Sequence, residues 1–318
     1  MLNQKLLIGS HAPYWHNGIS IREKSYHVML AALPAVLMGI YQFGIPAMRV
    51  MALSVSCAML WELILNRVMR RPVTIGDGDA ALIGLLFGMM LPATAPWWAV
   101  VLGTSVAVTV GKWIYGGLGC NPLNPALVAI ATLIISYPAI MDLDQAYLTY
   151  DFSFAAADPL RAVKAFGTAA AARYSLMGFL MGQQVGGVGT IFALGLMIGG
   201  LYLILRGLIR WEISLSYLVG VLATAYLFNL TSPEKYAGPF FHLLAGYTLL
   251  GAFFLITEDS SSPVNLIPML AYGAGAGVMT ILIRNVGGFT DGVVFAVLLF
   301  NIANPLLDKI RPRALGRS

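Results

Sequence analysis

The chain has 318 residues, 58% of them hydrophobic and only 10% charged, with a formal net charge of +5. A soluble domain carries about 25% charged residues, so a water-exposed surface of this size is excluded, as are disordered and fibrous classes. Long apolar runs point instead to a membrane protein, and the basic excess reads as the positive-inside bias of membrane loops, with no nucleic-acid partner.

Residues 1–24 contain Lys5, His11, His16, Arg22 and Lys24 without the continuous apolar core of an export signal. They read as a cytoplasmic segment, with Pro13, Tyr14 and Trp15 as an interfacial lip. Ten spans then fit the apolar runs, at about 25–43, 46–66, 77–92, 96–114, 121–141, 189–207, 213–230, 238–257, 264–284 and 289–307. Most are near the 20 or so residues that a bilayer-spanning helix needs; the short 77–92 run suggests a tilted or broken helix. With the amino terminus inside, thirteen Lys and Arg residues fall on the inner side and six on the outer. That asymmetry places both termini in the cytoplasm. The segment 142–188 becomes an outer, periplasmic loop, long enough to be functional or disordered, and 308–318 a cytoplasmic tail.

The two halves, 25–141 and 189–307, resemble each other weakly. Gly84-Leu-Leu-Phe-Gly88, followed by Pro92 and Pro96, lines up with Gly251-Ala-Phe-Phe-Leu255, followed by Asp259 and Pro263. One span later Gly116-Gly-Leu-Gly119 lines up with Gly287-Gly-Phe-Thr290. Five spans per half is an odd number, so the second copy inserts upside down. The expected fold is an all-α integral membrane protein of about ten transmembrane helices in two inverted five-helix repeats, an architecture whose functional sites lie near the repeat interface.

Polar residues at membrane depth are functional candidates. Glu62 suits a buried ion or proton relay, or an interfacial acid neutralising Arg67. Asp77 and Asp79 open the third span, where acids cap a helix amino terminus. Glu258 and Asp259 sit at the inner end of span eight. Arg284 and Asp291, close in sequence, suggest an ion pair at the outer end. Glu62, Asp77 and Asp291 are the candidates for an ion path. Cys57 and Cys120 are too few for a disulfide framework or a four-cysteine cluster, and the four histidines are scattered. No metal site or nucleophilic triad is indicated.

The strongest local signal is Tyr115-Gly-Gly-Leu-Gly-Cys-Asn121-Pro-Leu-Asn124-Pro125. Glycines permit unusual dihedrals and close ligand approach, and prolines interrupt the helix. Asn121 and Asn124 share a face if the helix continues, where two carboxamides suit a planar heterocycle. A tight turn with Asn caps is the alternative.

The run Gly116–Ala126 resembles RnfD, the D component of the Rnf (Rsx) ion-translocating electron-transport complexes. That family is related to the B component of the sodium-pumping NADH:quinone reductases. Ala95-Pro-Trp-Trp-Ala-Val-Val-Leu-Gly103, Ser232-Pro-Glu234, His242-Leu-Leu-Ala-Gly246, Leu250-Gly-Ala-Phe-Phe254 and Gly287–Leu299 extend the resemblance over nearly the whole chain. It implies a membrane subunit of a ferredoxin:NAD oxidoreductase that relays electrons through flavin and couples them to Na+ or H+ movement. The implied partners are an outer flavoprotein, a cluster-bearing membrane pair, an NAD-binding inner subunit and a ferredoxin-like subunit.

The resemblance also implies an FMN, joined through its phosphate to a threonine in a Ser-x-Ala-Thr-Pro-Leu motif of the outer loop. Here the counterpart is Ala155-Ala-Ala-Asp158-Pro159-Leu160. A carboxylate at 158 cannot form that ester and repels a phosphate unless Arg161 or Lys164 compensates. The expectation is a flavin that is not covalently bound at Asp158, with the covalent link absent; Thr168, in Gly167-Thr168-Ala169 without the motif around it, is the alternative acceptor. Asn121 and Asn124 match the asparagines of a second, inner flavin-type site. A flavin-free structural or ion-path subunit and an inverted-repeat solute channel are the alternatives.

Overall fold

The computed structural model describes residues 20–310, so the interfacial lip and most of the C-terminal tail lie outside the described residues. Among the described residues the secondary structure is entirely helical. The first half holds α1 (Ile21–Phe43), α2 (Ile45–Val68), α3 (Asp79–Met90), α4 (Trp97–Thr109) and α5 (Pro125–Ser136). Four short helices follow: α6 (Leu143–Ala146), α7 (Pro159–Phe166), α8 (Thr168–Ala171) and α9 (Leu176–Leu180). The second half holds α10 (Ala193–Leu205), α11 (Trp211–Thr231), α12 (Pro239–Leu244), α13 (Thr248–Leu250), α14 (Leu266–Asn285) and α15 (Val293–Leu307).

Five helical segments are long and apolar enough to cross a membrane: α1, α2, α11, α14 and Trp97–Tyr115, which contains α4. Helices α3, α5, α10 and α15 are also apolar but shorter. The run expected to be one helix over 238–257 is broken. Helix α12 stops at Leu244, α13 starts at Thr248, and a π-helical turn covers Gly251–Leu255. The 142–188 segment is ordered by α6 to α9. Near its end the backbone pairs with the residue after α3, Val188 N–H donating to Leu91 O at 2.9 Å.

Local sequence explains the boundaries. Ser20 accepts from the Glu23 N–H at 3.1 Å and caps α1. Asn124 caps α5 by accepting from the Ala126 and Leu127 N–H groups, with Pro125 at the first helical position. Helix α5 therefore begins after both asparagines, and the condition that would put Asn121 and Asn124 on one helical face is not met.

Packing repeats between the halves. Helix α2 packs on α3 and α4, and α4 on α5. Likewise α11 packs on α12 and α14, and α14 on α15. The contacts α1–α10 and α5–α15 join the two sets. Close approach depends on absent side chains, as expected where lipid supplies no hydrophobic drive between helices. A Cβ at Gly84 would lie 2.7 Å from Ser54 O, and one at Gly277 would lie 2.3 Å from Tyr217 O.

Candidate functional site: two polar ends of the bundle

Helices α1, α3 and α5 begin at the end of the bundle where α2 and α4 finish. A cavity of about 270 Å³ opens there. Leu86, Phe253 and Phe254 form apolar walls, while Lys24, Asp79, Asn121, Glu258 and Ser260 supply the polar rim. The carboxamide of Asn121 donates to Glu258 Oε1 at 2.6 Å and accepts from the Ser260 hydroxyl at 2.9 Å. Asn124 donates to Leu255 O at 3.0 Å while its oxygen caps α5. Both asparagines line the cavity, but their amides are committed to joining the first half to the second.

Glu258 is half-buried in this network. Burial pushes its carboxyl up to about 7; the Asn121 hydrogen bond opposes that and the charge of Asp79 adds to it. Lys24 pairs with Asp259. The rim is thus more acidic than basic, which fits an uncharged planar heterocycle against the phenylalanine walls and not a phosphate.

Beneath the rim lies a charge cluster that single-helix reading did not assemble. Glu62 does not neutralise Arg67, which is exposed. It accepts from Lys112 Nζ at 3.0 Å, from Trp113 Nε1 at 2.9 Å and from the Thr74 hydroxyl at 2.7 Å. Lys112 also bridges to Asp79 at 2.9 Å. Glu62 and Lys112 are only 1% and 2% exposed at the side chain. Asp77 caps Asp79, accepting from its N–H at 3.0 Å.

The opposite end repeats the theme with a different cation. Arg284, at the end of α14 as Lys112 follows α4, pairs with Asp291 at 2.9 Å. Its guanidinium also donates to His242 O and Ala245 O, carbonyls exposed where α12 stops. Asp291 accepts from the Tyr247 N–H at 2.7 Å, across the same break. The pair satisfies the backbone of a helix broken inside an apolar bundle, which a membrane does not tolerate unmet. Gly246, at φ +67°, makes the turn, and a Cβ there would meet Asp291 at 2.3 Å.

Beside this clamp a second cavity, about 240 Å³, is lined by Asp142, Asp158, Arg161, Tyr247 and Asp291. Asp158 caps α7, accepting from the Leu160 N–H at 3.1 Å, with Pro159 at the first helical position. Its own N–H donates to Asp144. Burial pushes the Asp158 carboxyl up to about 7, and the charge of Asp144 adds to this. Arg161 is already engaged by Asp142 and Asp144. These residues do not fit a flavin phosphate: position 158 lacks a hydroxyl, and the wall is acidic. Thr168 does not line this cavity, and its hydroxyl is spent on Glu234 O at 2.8 Å.

The likeness to known proteins runs over nearly the full length. The NQR2, RnfD, RnfE family profile matches residues 8–316. The chain is similar to the D component of the ion-translocating oxidoreductase complex of Cronobacter sakazakii, at 36% identity over 96% of this chain and 97% of that protein. It is also similar to the D component of the Na(+)-translocating ferredoxin:NAD(+) oxidoreductase complex of Acetobacterium woodii, at 34% identity over 97% and 94%. The corresponding protein of Escherichia coli is 35% identical over 96% and 97%.

Proposed function

The chain belongs to the NQR2, RnfD, RnfE family, and on that basis we propose that it is a membrane subunit of an ion-translocating ferredoxin:NAD+ oxidoreductase complex, with no activity of its own outside that assembly. The observation that carries this reading is the pair of cavities at opposite ends of the bundle, one flanked by Lys112 held between Glu62 and Asp79, the other by Arg284 held between Asp291 and backbone carbonyls. The recurring helix contacts support ten spans in two inverted repeats. Both termini then face the cytoplasm of a bacterial inner membrane. The partners are those of an Rnf-type complex: an outer flavoprotein, a cluster-bearing membrane pair, an NAD-binding subunit and a ferredoxin-like subunit.

The inner cavity is the proposed flavin site. Asn121, Asn124 and Glu258 shape its rim, and a flavin there supplies electron transfer. The acidic rim favours a flavin ring without its phosphate on this protein's surface. At the outer cavity, Asp158, Pro159 and Leu160 build a helix cap and no covalent attachment point. Glu62 with Lys112, Asp77 with Asp79, and Asp291 with Arg284 are the proposed charged stations for Na+ or H+. A flavin-free subunit that only anchors partners and lines the ion path is the second reading, favoured by the acid wall around Asp158.

Flavin content of the purified subunit, measured before and after acid denaturation and repeated on the intact complex, separates these readings, with in-gel fluorescence of this subunit's band. The expected result is a dark band with flavin released into the supernatant. A fluorescent band overturns the reading of Asp158, and release of none from this subunit leaves the anchoring role.

A further inference from the structure

A third cavity lies on the outer side of the Arg284 clamp, apart from the two cavities described above and sharing Arg284 with the outer ion station. It is small, about 30 Å³, and is lined by Lys164, Lys235, His242, Arg284, Asn285 and Thr290. Three of these are cations, and they come from three separate segments: α7, the α11–α12 loop and the end of α14.

Two buried groups at this cavity are unexplained by the protein alone. Both ring nitrogens of His242 lack a hydrogen-bond partner among the described residues, although the residue is only 2% exposed. The Asn285 amide nitrogen, Nδ2, is likewise buried without an acceptor. A buried polar group left unmet costs about 1–3 kcal/mol, and in native proteins such groups nearly always find a partner. A donor amide, an imidazole and three cations converging on one space ask for an acceptor that carries negative charge.

The charge balance says the same. Arg284 is matched by Asp291. Neither Lys164 nor Lys235 forms a salt bridge among the described residues. Lys164 donates to the carbonyls of Gly287 and Phe289 at 2.6 and 2.7 Å, which uses two of its three protons. Partial burial holds its ammonium below the usual lysine range, as happens where positive charge is desolvated and not compensated.

We propose that this cavity is a binding site for a small inorganic anion of the halide class, held by Lys164, Lys235, the Asn285 amide and a ring N–H of His242. Its space of about 30 Å³ suits one monatomic ion or about two waters. The anion neutralises the cationic cluster and fixes α7, the α11–α12 loop and α14 against the broken α12–α13 helix. The site is independent of any redox role, so it stands or falls separately from the function proposed above.

The test is thermal unfolding of the full-length protein in nanodiscs at constant ionic strength, with chloride exchanged for gluconate, a bulky and weakly coordinating anion. Chloride and bromide are expected to raise the midpoint saturably, because a ligand bound only to the folded state stabilises it by mass action. Lys235→Met and Lys164→Met, both at exposed positions, are expected to fold and to weaken the apparent halide affinity by about tenfold or more, the loss of one charge-assisted contact. Bromide soaked into crystals is expected to give an anomalous peak between His242 and Lys235. Equal midpoints in chloride and gluconate, or a chloride effect of the same size in both lysine variants, would show that the cavity holds water and overturn the proposal.

Discussion

Single residues carry most of the chemistry here, and two of them make sharp predictions. Lys112 is the buried counter-charge for Glu62 and Asp79. Removing one partner of a buried pair leaves the other charge uncompensated, at a cost of about 3–5 kcal/mol. Lys112→Met is therefore expected to lower the melting temperature in nanodiscs sharply. Lys112→Met combined with Glu62→Leu is expected to recover much of it. Asp158 gives a pH signature. Its folded-state pKa of about 7 lies above the ordinary value of 3.8. Below pH 3.8 both states are protonated and the residue contributes no difference. Between that value and about pH 7 the unfolded chain releases its proton first, so stability falls as pH rises. Asp158→Asn keeps a helix-capping side chain and removes that penalty. Melting curves are expected to show the variant more stable than wild type at about pH 8, by at most about 4 kcal/mol, and nearly equal at about pH 4. A difference independent of pH would contradict the assignment.

At the level of helices, the bundle rests on close backbone approach and on one deliberate break. Gly84 sits where α3 meets α2, with Ser54 O and Ala58 Cβ within 2.8 Å of where its own Cβ would stand. Ser54 donates its hydroxyl to Gly84 O across the same contact. Gly84→Ala is expected to cost about 1–3 kcal/mol by overpacking, read as a lower unfolding midpoint, and Gly84→Leu is expected to abolish a monodisperse gel-filtration peak. The break between α12 and α13 is invisible in the apolar run 238–257. Its carbonyls are met by Arg284, which is 42 positions from His242 and 39 from Ala245, so hydropathy reads straight through it. Conversely, the glycine–asparagine loop before α5 is legible in full as punctuation. What it does is less legible: Asn121 and Asn124 spend their amides on Glu258, Leu255 and the α5 cap.

For the whole molecule, the two ends define an orientation that one cysteine reports. Cys120 is exposed beside the inner cavity's rim, whereas Cys57 lies within α2. In vesicles, a membrane-impermeant maleimide is expected to label Cys120 from the cytoplasmic face only: strongly in inside-out preparations and weakly in right-side-out ones. Labelling from the opposite face would invert the proposed topology and move both cavities to the other sides.

Class, family and the long apolar helices can be read along the chain, because they follow from local quantities, whereas the short helices α6 to α9 and the α12–α13 break cannot. Apolar run length places helices, capping and turn residues place their ends, and motifs such as Gly116–Ala126 keep their order. Asp158 shows its departure from a hydroxyl in the same one-dimensional way. Which charges meet is settled only in three dimensions. Glu62 and Lys112 are 50 positions apart, Asn121 and Glu258 are 137 apart, and the cations around His242 come from separate segments. Low dielectric makes such pairings strong enough to govern a site, yet their partners are chosen by how distant helices and loops pack, within a half as well as between halves, which no local pattern encodes.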